Sequence, residues 1–401
     1  MNVNTEGKIP VKMWLDDIED GAMDQVKHLA LLPFAYHHVA IMPDSHLGYG
    51  MPIGGVLATK DVIIPNAVGV DIGCGMCAVK TSLTELDIET LKKIMGKIRE
   101  VVPVGFNHQK EKQDMSLMPH YEGGTVMRDT MGKIVYEQFE AALSQIGTLG
   151  GGNHFIEIQK GSDGHIWIMI HSGSRNFGLQ IAKYYNDVAV ELNEKWHSTI
   201  PKEWELAFLP IDSKEGQEYI KDMQYAVEFA LANRKMMMDR IIDVFKETVE
   251  GFFVKNFENG EYSKYMINIA HNYAALEHHF GQDVWVHRKG ATLARVDTIG
   301  IIPGSQGTHS YIVKGKGNPE SFESCSHGAG RKMGRKEACR SLNLEEEQKK
   351  LNDQGIVHGI RSEKDLDEAS GAYKDIDVVM KNQTDLVEIL VELTPMGVIK
   401  G

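Results

Sequence analysis

With 401 residues, 42% of them hydrophobic and 25% charged, the chain has the composition of a globular protein and the length to bury a substantial core. A formal net charge of −13 argues against a general affinity for nucleic acid, although not against a local basic channel. No stretch approaches the ~18 consecutive apolar residues of a membrane span, and four cysteines without framework spacing point to a reducing compartment, so a cytoplasmic protein with no membrane contact is expected.

Taken in order, YHHVAIM (36–42) and IGGVLA (53–58) read as short buried strands around the loop MPDSHLGYGMP, where Asp44 and His46 are either turn residues or supports of a site. The next stretch, PNAVGVDIGCGMCAVK (65–80), organises the rest of the chain. It starts as a buried apolar run and breaks into Gly69, Gly73 and Gly75 with an acid and a thiol between them. Glycines on both sides of Cys74 allow a sharp turn and close approach of an ion or phosphate to the main chain. Asp71 and Cys74 on such a bend can converge, and a carboxylate beside a thiolate favours a divalent transition metal over calcium or magnesium. Other readings exist. Cys74 and Cys77 form a C-x-x-C, but Cys325 and Cys339 do not supply a second zinc pair, and MCAVKTSL reads as a strand rather than the helix that follows a redox pair. A phosphate loop fails because Val79 stands where its second glycine belongs.

Residues 82–100 carry leucine and isoleucine at helical spacing, whereas 103–131 is polar and aperiodic, with prolines at 103 and 119, and reads as a long loop or lid. A helix over 133–146 leads into GTLGGGNHFIEI (147–158), where three glycines precede Asn153 and His154. The following strand places Ile156 and Ile158 on His154's face and Phe155 and Glu157 on the other. The strand HIWIMIH ends at His171 and turns through Ser172, Ser174 and Arg175 into a helix from about 176, a junction suited to phosphate. Residues 215–249 form a long helix whose Met236, Met237 and Met238 read as packing. His271 ends another apolar run, and His278 and His279 are assigned to a following helix. Arg288 and Lys289 read as a local basic patch. IIPGSQGTHSYIV (301–313) is a strand, a Gly/Ser loop with Ser305, Thr308 and Ser310, and a strand. In SCSHGAGRKMGRKEA (324–338), His327 lies in a glycine bend running into a basic helix with Lys332, Arg335 and Lys336. Backbone amides and Arg331 make this an anion site, and His327 is a candidate nucleophile toward phosphorus. These turns span 44 to 327, so one site must draw on most of the chain, which favours a single large α/β domain with mixed sheets.

MPDSHLG, GVDIGCGM, GTLGGGNHFIEI, HSGSR, HNYA, RKGA, PGSQGTHSY, SCSHGAGR and AYKDID, in this order, resemble the RtcB family of RNA-splicing ligases over nearly the whole length. The resemblance implies an α+β fold: one domain covering 1–401, with mixed β-sheets around a deep metal-containing cleft. It also implies an RNA ligase that uses GTP and Mn²⁺ to join 2′,3′-cyclic phosphate or 3′-phosphate ends to 5′-hydroxyl ends through a histidine–GMP intermediate, in tRNA splicing or RNA repair. Carried over motif by motif, Asp71, Cys74 and His154 would hold one manganese, and Cys74, His171 and His271 a second. Zn²⁺ or Co²⁺ are substitutes that such ligands also accept. His327 would be the guanylated nucleophile, assisted by Asp44. Asn153, Glu157, Ser305, Ser310, Tyr373 and Lys400 would contact the nucleotide, and Arg175 and Arg331 would bind phosphates of nucleotide or RNA. An archease-type activator is a further partner implied. Cys77 is expected to be a non-ligand, and the K-x-D-G of lysine-dependent ligases is absent, since KGSDG (160–164) has one residue too many. A metal-dependent phosphoesterase is the main rival, and a non-catalytic RNA- or metal-binding protein the third reading. His327 and the nucleotide motifs discriminate, because a hydrolase needs no covalent nucleotide carrier.

Overall fold

The computed structural model describes residues 1–120, 131–255 and 265–401. Helices and two large sheets make an α+β fold. The larger sheet has seven strands in the order Ile267–Ala270, Gly75–Lys80, Ile166–Ser172, Phe155–Gly161, Val387–Lys400, Ser310–Gly315 and Ile299–Ile302, every neighbouring pair antiparallel. Its two edge strands come into contact, so the sheet nearly closes on itself. Strand alternation sorts the side chains: Met76, Ala78, Phe155, Trp167 and Met169 fill the inside, while Cys77, Val79, Ile156, Ile158, Ile168 and Ile170 pack outward against helices.

Two helices cover that outer face. Ile88–Val101 presents Leu91, Ile94, Met95 and Ile98 at helical spacing and starts six residues later than its apolar pattern predicts, because Asp87 caps it by accepting from the N–H groups of Glu89 and Thr90. The 35-residue helix Lys214–Thr248 buries Met237, Met238 and Ile241 in the same cluster, so the methionine series is packing, as its spacing implies. No helix among the described residues is long and apolar enough to cross a membrane. Of the proposed 103–131 loop, residues 103–120 hold one short 3-10 turn, Met115–Leu117, and 121–130 lie outside the described residues.

The second sheet has six strands: Asn2–Asn4, Val11–Met13, Ala35–Tyr49, Met51–Thr59, Gln282–Lys289 and Asn272–His279, with one parallel pair between the second and third. Two expectations change here. His278 and His279 lie on the strand Asn272–His279, not on a helix. Glu277 and His279 are buried while Leu276 and His278 are exposed, an alternation of period two that the short apolar run concealed. Arg288 and Lys289 form no surface patch. Both are buried, Arg288 against the Glu277 carboxylate and Lys289 on the carbonyls of Tyr49 (2.6 Å) and Asn66 (3.0 Å). Burial alone would raise the Glu277 pKa, but the Arg288 guanidinium holds it at about 2. In the central stretch, Pro65–Val68 is a helical turn with proline in its first position. The two sheets meet at His271, which joins Ile267–Ala270 of one to Asn272–His279 of the other.

Candidate active site

Sheet register brings the metal-type side chains together. His171 lies opposite both Met76 and Phe155, and Ala270 lies opposite Gly75. Cys74, His154, His171 and His271 therefore stand at one rim of four adjacent strands, and the His271 N–H bonds the Cys74 carbonyl at 2.8 Å. The glycines around Cys74 serve this packing. Gly73 has φ of +74°, and a side chain at Gly75 would run into the Ile269 carbonyl oxygen.

The histidine rings are aimed by their outer nitrogens. His154 Nδ1 is 3.0 Å from the Leu149 carbonyl and His171 Nδ1 is 3.1 Å from that of Asn153. A carbonyl fixes Nδ1 as the protonated nitrogen and leaves Nε2 free as a ligand. Both Nε2 atoms turn to Cys74 Sγ, at 3.4 and 3.3 Å, and His154 Nε2 is also 3.1 Å from Asp71 Oδ2. Ligand atoms of Asp71, Cys74 and His154 all lie within 4.8 Å of one another, as do those of Cys74, His171 and His271. Cys74 belongs to both groups. Burial holds the His171 and His271 pKa values well down, so both rings are neutral, the form that binds metal. Burial and the Asp71 charge push the Cys74 thiol up, so an arriving cation would replace its proton. His271 Nδ1 is buried with no hydrogen-bond partner among the described residues, as befits an atom reserved for a ligand. The donor set and its geometry thus fit two divalent ions sharing one thiolate.

Cys77 faces away. It is buried in the outer apolar cluster, where burial pushes its thiol up to about 12, and it belongs to neither metal-type group. The C-x-x-C reading fails because successive strand residues point to opposite faces.

Beside the cluster opens a cleft whose lining includes Asn153, Glu157, Ser305, His327, Arg331, Tyr373 and Lys400, together with Phe155 and His171. Three expected residues lie outside its wall. Ser310 sits behind it, accepting from the Gly304 N–H at 3.1 Å and from Gln159 Nε2 at 3.2 Å. Arg175 lies beyond the metal-type residues, its Nη1 3.3 Å from His154 Nδ1. Ser172 and Ser174 of the same junction are buried, with their hydroxyls bonded to the Leu149 and Ile72 carbonyls, so they do not form a phosphate site. Asp44, the third, is fully buried behind His327. Its Oδ2 accepts from the N–H groups of His327 (3.0 Å) and Gly328 (3.2 Å) and lies 2.6 Å from His327 Nδ1. The last is a close contact without the alignment of a hydrogen bond. The His327 ring stands edge-on to His271, centroids 4.7 Å apart, so it borders both the cleft and the metal-type cluster.

One lining residue, Glu368, carries no sequence signal that singles it out. Glu368, 2% exposed, receives Arg331 at 2.9 Å, Arg335 at 2.6 Å and the Tyr373 hydroxyl, so Arg331 enters the cleft already paired. His46, foreseen as a support, lines the cleft, and burial pushes it down to about 4. Glu157 is buried on the strand that pairs with the one carrying Lys400, and both line the cleft. Burial raises its carboxyl to about 8, partly countered by the lysine, whose own pKa burial lowers.

A family model described as tRNA-splicing ligase RtcB matches residues 25–401. The RNA-splicing ligase RtcB of Escherichia coli is 39% identical, over 99% of this chain and 98% of its own. The tRNA-splicing ligase RtcB of Thermococcus kodakarensis is 31% identical, over 98% and 95% respectively. The RNA-splicing ligase RtcB of Mycobacterium tuberculosis is also 31% identical, over 94% of this chain and all of its own. With the same motifs gathered at one rim of the sheet, the chain belongs to the RtcB family of tRNA-splicing ligases.

Proposed function

We propose that the protein joins RNA ends bearing a 3′-phosphate or a 2′,3′-cyclic phosphate to ends bearing a 5′-hydroxyl, using GTP and manganese, with His327 as the covalent carrier of GMP. The observation that carries this reading is the position of His327, between the cleft and the Cys74 cluster with a buried carboxylate at its Nδ1. With Nδ1 turned to Asp44, Nε2 is the nucleophilic atom. It attacks the α-phosphorus of GTP, forming an N–P bond as the bond to the β-phosphate oxygen breaks and pyrophosphate leaves. Asp44 offsets the positive charge that develops on the imidazole. An oxygen of the RNA 3′-phosphate then attacks the same phosphorus and displaces the histidine, which activates the RNA end. Attack of the 5′-hydroxyl on the 3′-phosphorus forms the phosphodiester and releases GMP. A cyclic end is first opened by water. Ions held by Asp71, Cys74, His154, His171 and His271 would supply Lewis-acid polarisation and charge neutralisation at phosphoryl oxygens. This reading includes a cytoplasmic setting and an archease-type activator, and it spans tRNA splicing and RNA repair. Incubation with α-labelled GTP and Mn²⁺ tests it: label fixed to the protein, lost in acid and stable in base, is expected, and protein that stays unlabelled would reject the carrier.

On this reading, Glu157 and Lys400 of the cleft lining select the base. A Glu157 carboxylate accepts from the N1–H and exocyclic amine of guanine, which adenine cannot offer together, while Lys400 donates to a ring acceptor. The guanine-binding form of Glu157 is the anion, but the empty-pocket carboxyl keeps its proton up to about pH 8. GTP binding should therefore release a proton, and affinity should rise about tenfold per pH unit up to about 8 and flatten above it. Calorimetric titration across pH 6–9 checks this. Glu157→Gln, neutral throughout, should bind more weakly and lose the slope; an unchanged slope would remove Glu157 from the guanine contact.

A further inference from the structure

The metal-type residues arrive from four separate pieces of chain, and one turn of one helix reaches all four. On Lys214–Thr248, Asn233 and Arg234 are both completely buried. Asn233 Oδ1 accepts from the N–H groups of Gly147 (2.7 Å) and Thr148 (3.1 Å). Its Nδ2 reaches the carbonyls of Thr148 (3.2 Å) and Gly173 (3.1 Å) and the Ser172 hydroxyl (3.2 Å). Arg234 donates from Nη1 to the carbonyls of Gly73 (2.9 Å) and Ser172 (2.8 Å), and from Nε to Asn268 Oδ1 (2.7 Å). Gly73 precedes Cys74, Ser172 follows His171, Thr148 opens the loop to His154, and Asn268 lies on the strand that ends before His271. The helix also packs so closely that a Cβ on Gly73 would come within 2.9 Å of Ala230 and Val227.

Arg234 is unusual for a wholly buried guanidinium. It makes no ion pair among the described residues, and its Nη2 has no hydrogen-bond partner there. Isolated buried charge is costly unless an anion offsets it. The acidic groups acting on it are Cys77, Cys74 and Asp71.

We infer that Asn233 and Arg234 are positioning residues for the metal centre. Asn233 sets the loops that carry His154 and His171. Arg234 ties the Cys74, His171 and His271 segments together. The inference rests on the two-ion reading of the cluster. Co²⁺ is the probe, because its thiolate charge-transfer absorption reports the Cys74 bond apart from any activity. Titration into the full-length protein should give two ions per chain and a thiolate band. Arg234→Gln should bind at least about fiftyfold more weakly with a shifted or lost band, and Asn233→Ala about tenfold more weakly. Arg234→Lys, which keeps the charge but not the fork, should recover the band and only part of the affinity. Lys235→Ala, next along the helix, should match wild type. If wild type takes up no Co²⁺, the two-ion reading and the inference fall together. If Arg234→Gln lowers the melting temperature while affinity and band stay at wild-type values, the inference alone is overturned. Should Arg234→Gln not fold, wild-type affinity in Arg234→Lys overturns it equally.

Discussion

Replacing His327 with alanine should abolish joining of ordinary 3′-phosphate RNA, by at least about a thousandfold, because a covalent carrier has no substitute in the cleft. The fold and the metals should survive. Asp44 keeps its two backbone partners at 327 and 328, and all five metal-type side chains remain. RNA already carrying a 3′-guanylyl end should still be sealed by the variant, since that step needs no histidine. Metal content, nucleotide adduct and sealing of pre-activated RNA, measured on this one protein, separate three roles. A ligand would lose metal. A general base would fail on the activated RNA as well. Only a carrier loses the adduct and keeps both of the others.

Cys74→Ser should strip the protein of both ions. Loss of a partner outside the ligand shell commonly weakens metal binding roughly 10- to 100-fold, and loss of a ligand shared by two ions should exceed that. Serine does not replace it, because its hydroxyl does not ionise as a thiol does. Cys77→Ser should keep its metals and its activity. Its cost is a hydroxyl placed in an apolar cluster, about 1–3 kcal/mol of stability. Metal analysis of the two purified variants, with thermal melts alongside, decides between one bridging thiolate and a cysteine pair. Equal metal loss in both would restore the C-x-x-C reading.

Much of this site is legible in sequence because its metal-type residues sit at strand ends in short glycine turns. Composition and period mark such places: His154 follows three glycines, His171 ends an apolar strand, and Cys74 lies between two glycines. What sequence does not carry is register. That Met76, Phe155 and His171 lie side by side depends on Ile166–Ser172 pairing antiparallel with both Phe155–Gly161 and the sequence-distant Gly75–Lys80. Without the pairing, sequence offers Asp71 and Cys74 as a plausible couple, and the division of five residues between two ions follows only from resemblance. Charge depends on register in the same way. Arg288 and Lys289 look like a basic patch until the neighbouring strand supplies Glu277 and the 49 and 66 carbonyls close over the lysine. Asn233 and Arg234 stand in a helix whose apolar spacing accounts for its packing, and nothing in that spacing marks two polar residues on the buried face. Glu368 lies in a polar stretch with no motif, and only the fold turns it toward Arg331, Arg335 and Tyr373.

The central claim is the polarity of the joined ends. Paired oligonucleotides, one set with 3′-phosphate or 2′,3′-cyclic phosphate and 5′-hydroxyl termini and the other with 3′-hydroxyl and 5′-phosphate termini, are incubated with the protein, GTP and Mn²⁺ and resolved on a gel. Joined product from the first set only, and only with GTP present, is the expected result. Sealing of 5′-phosphate ends, or cleavage of the cyclic phosphate with no joining, would contradict the account.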